Sequence, residues 1–371
     1  MVPLRGLRVL DFTTLLPGPL ATLMLAEAGA DVVKVERPEG EPARRNQPQL
    51  DGESVQFAML NRGKRSVAVD LKDPGARARV AALAGRADVL VEQFRPGVMA
   101  RLGLGYDALA AANPRLIYCS ITGFGQFGPE AQRAGHDLTY LARSGLLALG
   151  GESGVPVLPP GLIADIGGGT YPAVTAMLLA LLARAESGRG QLLDIAMTEA
   201  TFAWMARAMA SVAAEGTSPA PGRGRHTGGS PRYGVWPTAD GQALAAAPLE
   251  EAFWVRFCDV IGLPEAWRTD TADPMQARAE VALRVRAATA AEWAARFQGV
   301  DACVELVRNV QQAMQDPHYA ARGVFAPQVV LGSGRMIPAL PMAGFGAEGA
   351  RIAPALGSIA LDEDIWPESR I

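Results

Sequence analysis

The chain has 371 residues, 49% of them hydrophobic and 20% charged, with a formal net charge of −3. That length can bury a substantial core and suits one large domain plus a smaller one. The balance excludes a disordered chain and a nucleic-acid-coating protein, and fits a soluble globular one.

The N-terminus enters a strand pattern at once, without the basic-then-apolar run of a secretory signal. Residues 7–12 form a short apolar strand, followed by a loop with Pro17-Gly18-Pro19 and a helix pattern over 20–28. Pro19 suits a first helical turn and Gly29 its stop. Residues 31–36 read as a second strand, which makes a βαβ unit with parallel strands. A strand at 66–71, a helix at 74–84, a strand at 88–92, another helix and a strand at 116–121 continue the alternation. The expected class is α/β, with an open, mostly parallel Rossmann-like sheet. Glu36, ending the second strand, stands where a ribose-binding acid would. The first turn, however, lacks Gly-x-Gly-x-x-Gly, and its prolines remove donors that a pyrophosphate needs, which argues against a dinucleotide site.

Two later residues carry possible chemistry. His136, one of three histidines, lies in Gly135-His136-Asp137, and Asp165 lies in Ala164-Asp165-Ile166-Gly167-Gly168-Gly169. A histidine and a carboxylate facing each other across a carbon acid supply two bases for moving one proton. The plainer readings are a histidine satisfying a loop carbonyl and an aspartate capping the next helix. That helix starts after Thr170 and stops near Ser187-Gly188. Its apolar part, 171–185, is too short and too soon followed by charge for stable membrane insertion.

A strand at 191–195 and a helix at 197–212 complete a large domain over 1–214. Residues 215–238, rich in Gly, Pro, Ser and Arg, read as a linker. Helical patterns within 244–257 and 288–297 suggest a small domain over 239–325, and 326–371 would return to the large one. Cys119, Cys258 and Cys303 give neither zinc spacing nor a disulfide framework, so no metal site is expected and a reducing, cytoplasmic setting is. The only lysines are Lys34, Lys64 and Lys72, and Arg62, Lys64 and Arg65 form a basic cluster able to attract phosphate.

Taken together, several motifs are specific. They are Leu16-Pro17-Gly18-Pro19, Val35-Glu36-Arg37-Pro38, Asn61-Arg62-Gly63-Lys64-Arg65-Ser66, Phe94-Arg95-Pro96-Gly97-Val98, Gly135-His136-Asp137 and Ser187-Gly188-Arg189-Gly190-Gln191. Through them the chain resembles the family III coenzyme A transferases, the CaiB/BaiF superfamily, and within it the α-methylacyl-CoA racemases. The resemblance implies a large Rossmann-like domain with a smaller α+β domain, two subunits threaded as an interlocked-ring homodimer, and an acyl-CoA thioester as partner. No redox or metal cofactor is implied, since coenzyme A enters as part of the substrate.

The resemblance implies that His136 and Asp165 exchange the α-proton from opposite faces and invert a 2-methyl centre through an enolate. Glu250 would orient the histidine, with Glu251 standing where the family has proline. Arg37 and Arg101 match coenzyme-contacting positions. Ala68, Val69, Asp70 and Leu71, with Gln93, Phe94, Arg95, Pro96 and Gly97, match segments that pass the adenosine and pantetheine. Gly135, Asp137, Leu138, Thr139 and Tyr140 would border the thioester. The three glycines after Asp165 would bring backbone close to the thioester oxygen. Met197 is among the methionines that could line an acyl pocket. In the family's transferases the matching aspartate instead forms a mixed anhydride and then an acyl-thioester intermediate, and the histidine is commonly absent. Ile166 stands where the racemases usually have phenylalanine, which bears on acyl preference.

Overall fold

A computed structural model describes residues 2–151, 155–269, 271–342, 352–354, 356–361 and 365–366. The chain divides into two compact units: residues 1–144, 160–202 and 314–371 form one, and 145–159 and 203–313 the other. The division thus falls at 202/203 and 313/314, where the sequence suggested 214/215 and 325/326. Part of the expected linker is a strand of the second unit, Gly234–Pro237, and residues 244–246 are strand rather than helix.

The first unit is built on a seven-stranded sheet, parallel throughout. Its strands are β1 (Arg8–Phe12), β2 (Asp31–Glu36), β3 (Arg65–Ala68), β4 (Val89–Glu92), β5 (Ile117–Thr122), β6 (Leu192–Ala196) and β7 (Gly357–Ile359), in the spatial order β7-β3-β2-β1-β4-β5-β6. The central strands are mostly apolar because both of their faces are covered; Val9, Leu10, Val33, Val89, Leu90 and Val91 are wholly buried, and so are Asp11 and Lys34, the charges that interrupt β1 and β2. Helix α1 (Pro17–Glu27) follows β1, α2 (Pro74–Ala84) precedes β4, α3 (Asp137–Ser144) follows β5, and α4 (Tyr171–Ser187) precedes β6. Leu10, Val33, Val35 and Leu90 meet Val80, Leu83 and Ala84 of α2, together with Trp366, in the main core. On the other face, α1 lies over β1 and β2, and α4 over β5 and β6.

Strand order reverses between β1 and β4, and in such sheets the crevice beyond the carboxyl ends of those strands is where ligands bind. Thr13 to Leu15 leave β1 there, and Gln93 to Arg95 leave β4.

Helical structure begins earlier than the glycines suggested. Ala164–Thr170 is a π-helical segment that runs directly into α4, giving a continuous 24-residue stretch to Ser187, long and apolar enough to cross a membrane. It is buried over part of its surface only, and Leu178, Leu179 and Leu182 are exposed. Ala173 and Met177 are fully buried, and Arg184 pairs with Asp88 at 2.8 Å while donating to the carbonyls of Asp88 and Arg115. Gly188, at φ 70°, ends it.

In the second unit, the antiparallel strands Gly234–Pro237, Ala243–Ala246 and Val304–Leu306 pack with helices Glu251–Ile261, Pro274–Val285 and Ala290–Phe297. Trp236, Trp254, Phe257, Val281 and Trp293 fill their core.

Candidate active site

Two cavities lie at the reversal point and share Thr14, Leu15 and Phe94 as lining. The larger, about 680 Å³, continues over the ends of β2 and β3 and is lined by Arg37, Val69, Asp70, Leu71 and Lys72. The smaller, about 340 Å³, is lined by Pro17, Gln93, Arg95, Pro96, Gly135, His136, Tyr140, Asp165 and Met197. A β1-loop-β4 ridge therefore carries one continuous lining from an arginine-bearing end to a histidine and a carboxylate.

His136 precedes α3 and is exposed. Its carbonyl accepts from the backbone N–H of Thr139 at 2.8 Å, and its own N–H donates to Thr139 Oγ1 at 3.0 Å. Capping by Thr139 fixes the backbone and leaves the imidazole at the cavity wall. Tyr140 packs between two glycines. A side chain at Gly123 or Gly135 would come within 2.5 Å of its ring, and its hydroxyl donates to the Gly135 carbonyl at 2.7 Å.

Asp165 lies in the π-helical segment, a geometry that recurs at functional sites because the wider turn re-aims side chains. Its backbone N–H donates to Oδ1 of Asp137, itself buried, at 2.9 Å. Burial, and then the Asp137 charge, push the Asp165 carboxyl up to about 6, with His136 opposing. A carboxyl poised there exchanges protons near neutral pH. Thr170 ties the turn to the first loop by donating to the Pro17 carbonyl at 2.8 Å.

Two of the glycines after Asp165 leave room for close packing. A Cβ on Gly168 would stand 2.4 Å from the Met197 carbonyl oxygen, and one on Gly169 would crowd Met197 and Pro17. Met197 in turn lines the smaller cavity.

The remaining expected contacts divide. Ala68 ends β3 and is exposed, and Gly97, at φ 82°, starts a short helix with Nη1 of exposed Arg101 beside it. Leu138 and Thr139 are exposed and Asp137 buried. None of these six lines either cavity. Glu250 belongs to the second unit, exposed at the start of helix Glu251–Ile261, and Glu251 is paired with Arg232 at 2.7 Å.

The basic cluster is not a phosphate site. Arg62 is buried against Glu27 and the Leu340 carbonyl, Arg65 is paired with Asp31 at 2.6 Å, and Lys64 is wholly buried. Lys64 Nζ donates to Asp11, Thr22, Asn61 and the Pro19 carbonyl. Burial lowers the Lys64 ammonium to about 8 against the pull of Asp11. Burial would raise Asp11, but Lys34, Lys64, Thr13 and Thr22 together hold it near 2. Glu36 is fully engaged. It accepts from Arg44 at 2.7 and 2.8 Å, from Ser66 and from the Glu41 N–H, so no oxygen is left for a ribose. Sequence reasoning missed this network, because its members are scattered along the chain and only the sheet brings them together.

The fold and cleft define a scaffold of the doubly wound α/β class, with a candidate site at the sheet's reversal point. The chain matches CoA-transferase family III over residues 4–358 and belongs to that family. It is 36% identical to the α-methylacyl-CoA racemase of Homo sapiens, over 87% of this chain and 82% of that one. It is also 34% identical to the acetyl-CoA:oxalate CoA-transferase of Acetobacter aceti, over 97% and 93%. Its fold is similar to the crystal structure of a CaiB/BaiF family protein from Brucella suis, with a TM-score of 0.79 and 30% identity, covering 95% of this chain and 96% of that one.

Proposed function

We propose that the chain acts on acyl-CoA thioesters in this cleft and exchanges the α-proton between Asp165 and His136, interconverting 2R and 2S 2-methylacyl groups. The observation that carries this reading is the pair itself, an imidazole and an up-shifted carboxyl lining one cavity. One group removes the proton as a base, the thioester oxygen takes the enolate charge, and the other returns a proton to the opposite face. Arg37 and the 69–71 and 93–96 segments would hold the coenzyme portion along the larger cavity. Glu250 would orient His136, and the working form would be the interlocked homodimer.

A second reading is CoA transfer. The Asp165 carboxylate attacks the thioester carbonyl and expels the CoA thiolate, leaving a mixed anhydride. The thiolate then attacks the aspartyl carbonyl and releases the first acid, and an acceptor carboxylate completes the exchange in reverse. The family description and the Acetobacter relative favour this route, and on the comparisons alone it is the better supported. The histidine on the cavity wall favours proton exchange.

One experiment separates them. A single 2-methylacyl-CoA epimer is incubated in deuterated buffer with a labelled free carboxylic acid. Proton exchange gives α-deuterium and loss of configuration, both abolished by His136→Ala. Label entering the thioester pool without α-deuterium, with an Asp165 adduct trapped by hydroxylamine, would reject the first reading and establish the second.

A further inference from the structure

We infer that the buried Lys34–Glu41 ion pair is a positioning device for this cleft, acting through the backbone of Leu15. The inference rests on the cleft being the ligand site, but not on which reaction runs there. Leu15 has φ 65°, a left-handed conformation that a leucine adopts only when its surroundings hold it there. Its side chain is 49% exposed, and it lines both cavities where they meet.

Three contacts hold it. Glu41 Oε1 accepts from the Leu15 N–H at 2.6 Å. Glu41 Oε2 pairs with Lys34 Nζ at 2.9 Å, and the same ammonium donates to the Thr13 carbonyl at 2.6 Å. The lysine and glutamate side chains are 0% and 2% exposed. One buried pair thus grips the loop at both Thr13 and Leu15, on either side of Thr14. Neither residue lines the smaller cavity, which carries His136 and Asp165, while Glu41 lines the larger one. Their role is to fix the ridge over which a ligand spanning both cavities must lie.

Removing one partner strands a buried charge, whereas replacing both by apolar groups of similar volume is often tolerated. Lys34→Met/Glu41→Met therefore removes the clamp, together with one of the two ammonium groups that hold Asp11. Lys34→Met/Glu41→Gln shares that loss and restores only the acceptor for the Leu15 N–H, so the difference between the two variants isolates the grip on Leu15. Two quantities are read, amide hydrogen exchange across residues 13–16 without ligand, and the dissociation constant for coenzyme A by calorimetry.

The Met/Met variant should exchange at Leu15 at least about tenfold faster and bind coenzyme A about tenfold more weakly, with the loss in KM rather than kcat. The Met/Gln variant should recover most of both. Leu15→Gly leaves the ion pair intact, relieves the φ restriction and also removes a side chain lining both cavities. It should weaken binding while the Glu41 acceptor keeps exchange at residue 15 slow, and that exchange carries the test if either double variant unfolds. Unchanged Leu15 exchange in Met/Met, or coenzyme A binding at the native level in both Met/Met and Leu15→Gly, would overturn the inference. Failure of the native protein to bind coenzyme A would instead remove the ligand reading, leaving the exchange measurement to judge the clamp.

Discussion

Asp165→Asn should make the protein more stable above pH 6 while removing its chemistry. The carboxyl is lifted from an ordinary 3.8 to about 6 by burial and by Asp137, so the native state holds this proton more tightly than the unfolded chain does. Below about pH 4 the group is protonated in both states and costs nothing. Between 4 and 6 the unfolded chain ionises first, and native stability falls as pH rises. Above 6 the penalty is complete. A shift of about two units at about 1.36 kcal/mol each gives a ceiling of about 3 kcal/mol, and the solvent that reaches this half-buried group brings it to about 1–2 kcal/mol. The amide does not titrate, and the backbone bond to Asp137 is unaffected by the change. Urea unfolding of both proteins from pH 4 to 8 should show a gain near zero at pH 4 that grows to a plateau above 6. A gain independent of pH, or one that shrinks as pH rises, would refute the reasoning.

Three other outcomes follow from the geometry. Lys64→Met leaves the Asp11 carboxylate buried with one ammonium fewer and should cost about 3–5 kcal/mol in chemical or thermal unfolding. Gly168→Ala drives a methyl against the Met197 carbonyl, so it should destabilise by about 1–3 kcal/mol and lower turnover by displacing the turn that carries Asp165. Arg37→Ala should raise KM for CoA thioesters about tenfold or more, as expected for loss of a charged hydrogen bond, and leave kcat nearly unchanged.

The sheet was legible because β1, β2, β4 and β5 carry their signal locally, as apolar runs bounded by turns. The expected strand at 116–121 differs from Ile117–Thr122 by one residue at each end. β7 was not legible, since Gly357–Ile359 contributes three residues to the sheet edge far from its neighbour β3 in sequence. The helix is expected only after Thr170 because three glycines suppress helix propensity, yet Met197 and Pro17 need the space that Gly168 and Gly169 leave. His136 and Asp165 stood out by residue type and setting, but that they share a cavity follows only from folding. The ion pairs beneath the cleft gave no sign, because a buried lysine and an exposed one look alike in sequence.

The same burial gives the chain an unusual surface. Of its three lysines, Lys34 and Lys64 are sealed within the fold, while Lys72 is exposed and lines the larger cavity. Amine-reactive reagents at mildly alkaline pH therefore meet one lysine side chain on the folded protein. A fluorophore attached there would sit at the cleft's edge without any engineered handle, and its emission would report occupancy of the cavity directly.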